Sequence, residues 1–370
     1  MAKGEKGIFS FETYRDRDTG REVTKLTTDN YLNHHPYFYN KMMTNDNRFL
    51  IFSSNRDGFR NLYKLDLISG ATDQLTEGQD INDFSPMLTS DDKFLVYSRE
   101  EKIMWMQLDT LMEEVVYETP QGWITGGNPG ISSDDRYLVL VEMKEKDRIT
   151  GRGDWSAFEP QWAQKPYCRI ICIDIREKSG IIAYQDEHCW LGHPQIRPGA
   201  NDTILFCHEG PGNRIDARLW LVSAGDPHAK CLKPQTHSEL ITHEYWLNDG
   251  SRLAFVYRNH KTGEETIRFL NPDTMEEEVL MQCSTYCHFI SNRDNTRIVG
   301  DGQDPAEPYL YLVDVNGKTE EKLCTHGSSF KSYGNTQDSH PHPAFSPDGS
   351  FVIFTSDKDG IPGIYKVGLE

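Results

Sequence analysis

Residues 345–370 read FSPDGSFVIFTSDKDGIPGIYKVGLE, and this segment is the clearest copy of a pattern from which the fold can be predicted. It contains an S-P-D-G turn, the apolar run FVIF, a polar turn and a second apolar run, GIYKV. Aromatic and β-branched residues favour strands, and Asp and Gly favour the turns between them. No period of 3.6 residues persists, so a helical interpretation is not supported. The stretch predicts short antiparallel strands joined by tight turns.

Similar sequence patterns recur along the chain. Examples are TNDNRFLIFSSNRDG from residue 44, LTSDDKFLVYS from residue 88 and LNDGSRLAFVYRN from residue 247. Seven such units are present, spaced by roughly 43–65 residues, which is the spacing of four-stranded propeller blades. We therefore predict an all-β fold, a seven-bladed β-propeller, as a single domain over residues 1–370.

The two ends of the chain complement each other. The last unit contains only about three strands, whereas an unpaired strand pattern, REVTKLTT, lies at about residues 21–28. We predict that this N-terminal strand completes the C-terminal blade and closes the ring, because closure removes an exposed sheet edge. An insertion at about residues 144–166 is too polar for an inner strand, and the sequence leaves open whether it covers the site or forms a dimer contact.

Histidines concentrate at one position of the repeat. When the units are aligned on the turn, five of the seven residues that begin the innermost strands are histidine, although the chain has only 13 histidines. The seven residues at this repeat position are His35, Ser85, Asn128, His193, His243, His288 and His342. Because the first strand of each blade lines the central channel, we expect these side chains to point toward one axis.

The segment before the last unit is the densest part of this pattern. It reads Gln337-Asp338-Ser339-His340-Pro341-His342, followed by Pro343. Proline favours an extended conformation in the preceding residue, and residues two apart in an extended chain share a face. His340, His342 and His288 therefore predict a cage for a divalent metal ion, with Gln337 as an oxygen donor. For His35 and His193 the sequence leaves channel lining and substrate contact open.

Several functional classes are not supported. The net charge is −18, with no basic face that would indicate a nucleic-acid partner, and no apolar stretch long enough for a membrane span or a signal peptide is present. The eight cysteines form no C-x-x-C pair, which favours reduced thiols in the cytoplasm. Neither a G-x-S-x-G motif, nor a P-loop, nor an H-E-x-x-H motif occurs.

The sequence resembles the oligogalacturonate lyase family of pectin degradation over essentially its whole length. The residues that carry this resemblance are YRDRDTGREVTKLT, NHHPYFYNKMMTNDNRFLIFSSNRDG, HEGPGNRIDARLWLV, THEYWLNDG, the CHFISN segment and QDSHPHPAFSPDG. The resemblance implies a seven-bladed propeller, in agreement with the repeat count. It also implies β-elimination of short 4-linked galacturonate oligomers such as digalacturonate, giving 4,5-unsaturated uronate.

The resemblance further implies roles for individual residues. A manganese ion is expected on Gln337, His340, His342 and His288, although other divalent first-row metals suit the same donors. His243 is expected to be the Brønsted base, and Arg218 is expected to assist at the substrate carboxylate. Arg214 is near enough in sequence for that role to belong to it instead. Structural readings compete with these: channel lining for His243 and an ion pair for Arg218.

Two other functions remain open at this stage. One is a non-catalytic, TolB-like propeller that binds proteins, for which the missing export signal and the histidine repeat are unfavourable. The other is a metal-dependent hydrolase or lactonase, whose sites use mainly Asp, Glu and Asn ligands. The expected partner is a small acidic oligosaccharide, with neither nucleic acid nor membrane involved. The sequence does not decide between a monomer and a homodimer.

Overall fold

The structure is a computed structural model that describes residues 2–369. It consists of seven antiparallel sheets, and its fold class is the predicted seven-bladed β-propeller. By their internal contacts the residues group into two compact units. Of the described residues, the first unit contains 2–99, 106–113 and 284–369, and the second contains 100–105 and 114–283. The prediction of one domain over residues 1–370 stays a prediction.

Three sheets lie in the first unit. One has the strand order Lys6–Ile8, Ala71–Gln74, Asn61–Asp66, Phe49–Ser54 and Asn33–His34. Another has the order Glu12–Arg15, Glu22–Lys25, Gly363–Gly368, Phe351–Ser356 and Ala344–Phe345. The third runs in chain order through Tyr286–Ser291, Arg297–Gly302, Tyr309–Asp314 and Thr319–Thr325.

The second unit also contains three sheets, each in chain order. The first consists of Trp123–Ile131, Tyr137–Lys144, Cys168–Asp174 and Ser179–Asp186. The second consists of Leu191–Arg197, Ala200–His208, Leu219–Ser223 and Asp226–Cys231. The third consists of Glu239–Trp246, Leu253–Asn259, Glu264–Leu270 and Glu277–Gln282. The remaining sheet of the chain consists of Met87–Leu88, Phe94–Arg99, Lys102–Gln107 and Glu113–Glu118.

The predicted closing strand is present. Val23 pairs with Val367 and Lys25 pairs with Tyr365, so Glu22–Lys25 is the fourth strand of the C-terminal sheet. The N-terminal segment also forms two strands that the sequence did not predict, since Glu12–Arg15 extends the same sheet and Lys6–Ile8 pairs with Ala71–Gln74. The N-terminal residues therefore contribute strands to two sheets of the first unit.

The repeated turn has a simple physical basis. In six units an aspartate side chain accepts a hydrogen bond of 3.0–3.2 Å from the backbone N–H two residues later. The residue between them has a left-handed φ of 59–73° and is always Gly, Asn or Asp. Those types tolerate this conformation better than other residues do. The six left-handed residues are Asn47, Asp92, Asp135, Gly250, Asn295 and Gly349.

The insertion at 144–166 is helical, whereas the strands around it belong to a sheet. It contains the short helices Glu145–Asp147, Trp155–Ala157 and Phe158–Ala163, and a further short helix spans Gly212–Arg214.

Within residues 2–369, no helix has both the length and the apolar character needed to cross a membrane.

Candidate functional site

Four side chains that were predicted to share a metal converge in the first unit. Nε2 of His342 lies 3.2 Å from Nε2 of His288 and 2.9 Å from Oε1 of Gln337. The nearest ring nitrogens of His288, His340 and His342 all lie within 4.8 Å of one another, and all three residues are buried. The imidazole nitrogens and the amide oxygen thus surround one point, and a cation can bind there.

A β-bulge directs His288 toward this cluster. Tyr286 pairs with Gly302 and Phe289 pairs with Gly300, so Cys287 and His288 together oppose a single residue of the next strand. A bulge of this kind re-aims side chains and is common next to active sites. His342 is directed by its own backbone, which has a left-handed φ of 45°.

The single residue opposite the bulge is Asp301, a functional candidate that sequence reasoning missed. Its Oδ2 lies 3.0 Å from Nδ1 of His288, and its Oδ1 accepts a hydrogen bond from the His288 backbone N–H. The carboxylate holds the proton on Nδ1, so Nε2 presents a lone pair to the cluster. The backbone N–H of His342 also donates to Asp301, at 3.3 Å, so one aspartate positions two imidazoles.

Replacing Asp301 by Asn is therefore expected to lower the affinity for a divalent metal by roughly 10–100-fold, the usual effect of losing such an outer carboxylate. Electron paramagnetic resonance of free Mn²⁺ during a titration measures this affinity. The exposed Asp304 offers the control Asp304→Asn, which should bind metal like the parent protein. Equal affinity in the Asp301 variant would show that this contact does not matter.

Apolar rings surround the imidazoles. The ring centroids of Tyr37, Phe38 and Phe84 lie 5.0–6.1 Å from that of His342. Burial lowers the pKa of His340 to about 2, with the neighbouring His288 adding to the effect, and it lowers the pKa of His342 well below its usual range. Both rings are therefore neutral near pH 7, which is the state that binds metals.

A buried ion network holds the loop that carries Gln337. Asp338 accepts hydrogen bonds from both terminal nitrogens of Arg60 and from the backbone N–H groups of Tyr333 and Asn335. Arg60 also contacts Asp83 at 2.6 Å. Burial disfavours ionised Asp83, but its neighbours His34 and Arg60 hold its pKa down to about 2. This network fixes the loop next to the cluster.

The bulge recurs in the second unit. The pairing of Leu191–Arg197 shifts register between Gly192 and Gln195, and that of Glu239–Trp246 shifts between Thr242 and Tyr245. His193 and His243 lie in these bulges with φ of 50° and 54°. Three of the five histidines at the repeat position, His193, His243 and His342, thus have a left-handed backbone, which strand periodicity does not predict.

Arg218 lies in a buried cluster with two carboxylates. Its Nε is 2.8 Å from Glu244 and its Nη2 is 3.0 Å from Glu209, while His193 is 3.3 Å from Glu209. Burial disfavours the charged forms, but Arg218 and His193 lower the pKa of Glu209, and the two carboxylates help to raise that of Arg218 well above its usual range. These contacts are the ion pairs that were considered as the alternative role of Arg218. The role of Arg218 at the substrate carboxylate stays a prediction.

Removing the positive charge from this cluster is expected to destabilise the fold. The variant Arg218→Met leaves the buried Glu244 and the partly buried Glu209 without the cation that they share, which costs about 3–5 kcal/mol, although Glu209 keeps its contact with His193. The double variant Arg218→Met with Glu244→Gln should recover part of that loss. Thermal denaturation of the two variants and the parent protein measures the difference. A double variant no more stable than the single one would contradict the ion-pair account.

The remaining predicted substrate residues have different surroundings. His35 is fully buried, and its ring nitrogens lie 2.8 Å and 3.2 Å from the carbonyl oxygens of Pro36 and Pro341. Arg214 is exposed and pairs at 2.6 Å with Glu159 of the insertion. Trp162 of the insertion packs against Gly210, where a Cβ would clash with its ring. Substrate contacts by His35, His193 and Arg214 stay predictions.

The donor set of the first unit fits a first-row divalent ion. Two ligands that are each about 2.1 Å from one ion lie about 3.0–3.4 Å apart, which includes the 3.2 Å between the His288 and His342 nitrogens. Imidazole and amide donors suit several such ions. Fold and site together define a seven-bladed β-propeller with a buried, imidazole-rich cation site.

Comparisons with known proteins identify the family. The family model described as oligogalacturonate lyase matches residues 1–370. The oligogalacturonide lyase of Pectobacterium atrosepticum is 36% identical over 382 residues, covering 99% of this chain and 97% of that protein. The oligogalacturonate lyase of Dickeya dadantii shows the same identity and coverage. The chain belongs to the oligogalacturonate lyase family.

A solved structure agrees with this assignment. An oligogalacturonate lyase in complex with manganese superposes with a TM-score of 0.96 at 36% identity, covering 100% of this chain and 99% of that one. The fold, the family and the lyase class predicted from the sequence are confirmed. The roles predicted for individual residues are not tested by these similarities.

Proposed function

We propose that this protein cleaves short 4-linked galacturonate oligomers, digalacturonate among them, by β-elimination with a manganese ion held by His288, His340, His342 and Gln337. The observation that carries this proposal is the convergence of three buried imidazoles and one amide oxygen on a single point. A bound divalent ion would act as a Lewis acid that neutralises the uronate carboxylate and makes the C5 proton easier to remove.

His243 is the proposed base. Its Nδ1 lies 3.0 Å from the hydroxyl of Thr242, and proton abstraction requires Nδ1–H to donate to that hydroxyl so that Nε2 carries the lone pair. Nε2 then takes the proton from C5, and the C4–oxygen bond breaks. The departing sugar oxygen takes up a proton from solvent, and a 4,5-unsaturated uronate is formed. Histidine is unprotonated near neutral pH without a large pKa shift, which suits this role.

Arg218 is the proposed partner of the substrate carboxylate. Its Nε donates a hydrogen bond to Glu244 and its Nη2 donates one to Glu209, whereas Nη1 makes no hydrogen bond within residues 2–369. The two glutamates hold the plane of the guanidinium, which leaves Nη1 as the donor for a substrate oxygen. A charge-assisted contact at this point stabilises the negative charge that develops on the carboxylate.

A direct experiment separates this function from the alternatives. The purified protein with Mn²⁺ is mixed with digalacturonate, and ultraviolet absorbance reports the new conjugated double bond. The proposal is supported if absorbance increases only when Mn²⁺ is present and a chelator prevents the increase. New reducing ends without absorbance would indicate a hydrolase, and neither signal would indicate a binding protein.

We also propose that the protein works in the cytoplasm. All eight cysteines are free thiols, and six of them are buried, as in proteins that need no disulfide. A cytoplasmic enzyme of this class would act on oligomers small enough to be imported. Cell fractionation followed by the absorbance assay tests the location, and activity confined to the periplasmic fraction would contradict it.

A further inference from the structure

Cys287 shares the bulge with His288. In a regular strand consecutive side chains point to opposite faces, but both residues here oppose Asp301. The result is that Cys287 and His288 face the same cluster. The Cys287 Sγ lies 3.9 Å from Nε2 of His288 and 3.9 Å from Nδ1 of His340. A thiol is thus in contact with two of the proposed metal ligands.

These distances are close to those between ligands of one ion. With a metal–sulfur bond of about 2.3 Å and a metal–nitrogen bond of about 2.05 Å, sulfur and nitrogen lie about 3.6–3.8 Å apart in a tetrahedral or trigonal arrangement. The observed 3.9 Å needs a shift of only a few tenths of an ångström. The side chain of Cys287 is buried, so solvent does not compete for it.

Sulfur changes which ions such a site favours. Thiolates select zinc and other soft ions, whereas imidazole and oxygen donors also accept harder ions such as manganese. We propose that Cys287 is an additional soft ligand, which lets the site of the proposed function bind thiophilic ions, zinc and cadmium, with His288 and His340. On binding, the sulfur lone pair bonds to the ion and the thiol proton leaves to solvent.

This mode of binding has a consequence for catalysis. A coordinated thiolate occupies a position on the ion and adds one negative charge, so the ion neutralises a substrate carboxylate less well. Zinc or cadmium bound through Cys287 therefore inhibits the lyase in the presence of manganese. This inference rests on the proposed metal site, but its test needs no turnover.

The decisive experiment uses Co²⁺ as a spectroscopic probe and Cd²⁺ and Mn²⁺ for affinity. The parent protein with Co²⁺ should show the near-ultraviolet sulfur-to-cobalt charge-transfer band, and Cys287→Ser and Cys287→Ala should lack it. Cd²⁺ affinity should fall roughly tenfold or more in both variants, while Mn²⁺ affinity changes much less. Cys324→Ser changes another buried cysteine of the first unit and should keep the band.

The outcomes also separate this inference from the proposed function. Absence of the band in the parent protein, or its presence in both Cys287 variants, would overturn the role of Cys287. If the parent binds Mn²⁺ and cleaves digalacturonate in that case, the proposed function stands. If His288→Ala leaves binding of every ion unchanged, the metal site itself is wrong, and both proposals fall together.

Discussion

Replacing His342 by alanine is expected to abolish measurable lyase activity, a loss of at least about 10³-fold, because a metal that supplies several kcal/mol of charge stabilisation is no longer held. His342 is in contact with both His288 and Gln337. Its removal takes away one of the three imidazole donors of the cluster. The absorbance assay measures the activity, and Mn²⁺ titration measures the binding.

A second buried histidine supplies the matched control. His326 is also fully buried in the first unit, but its Nε2 contacts the carbonyl oxygen of Gly302 at 2.9 Å and not the cluster. The variant His326→Gln should keep manganese binding even if it is somewhat less stable. A His342→Ala protein that is folded, binds Mn²⁺ normally and retains activity would disprove the proposed site.

Replacing His243 by glycine is expected to lower kcat by about 10²–10⁴-fold, the range for loss of a general base. Manganese binding should stay unchanged, because the proposed ligands are all other residues. Glycine suits this position, since the backbone φ of 54° is left-handed and costs glycine nothing. The fold should therefore survive the change. Stopped-flow or steady-state absorbance at saturating substrate measures kcat.

Chemical rescue distinguishes a base from a channel-lining residue. Added imidazole should restore part of the activity of His243→Gly, since it fills the space and accepts the proton. His193→Gly is the control, because His193 occupies the same repeat position with the same left-handed backbone. It should show a smaller loss of kcat and no rescue. Equal losses without rescue in both variants would refute the assignment of the base.

The sequence predicted those parts of the molecule that repeat. The aspartate turns recur with Gly, Asn or Asp at the left-handed position, so each copy supports the assignment of the others. Histidines at one position of successive repeats indicated the site from sequence alone. Gln337, His340 and His342 lie within six residues, and local proline chemistry places them together. His288 was identified only because it holds the same repeat position as the other histidines.

Asp301 and Arg60 could not be found in this way. The contact of Asp301 with His288 depends on a bulge in the neighbouring strand, Tyr286–Ser291. No residue type in the strand of Asp301, Arg297–Gly302, indicates that bulge. The one available signal was an acidic residue in an otherwise buried strand. Arg60 reaches Asp338 across 278 positions of sequence, so the contact follows from tertiary packing alone. The two short N-terminal strands were missed because three or four residues carry too little periodicity.

The strand pairing of Glu22–Lys25 with Gly363–Gly368 has a consequence for synthesis in the cell. The partner of Glu22–Lys25 is made some 340 residues later, roughly 20–70 s afterwards at about 5–20 residues per second. During that time the hydrogen-bonding edge of Glu22–Lys25 is unsatisfied and open to other chains. A nascent polypeptide truncated near its end would keep this edge exposed, which makes premature termination products the species most prone to aggregate.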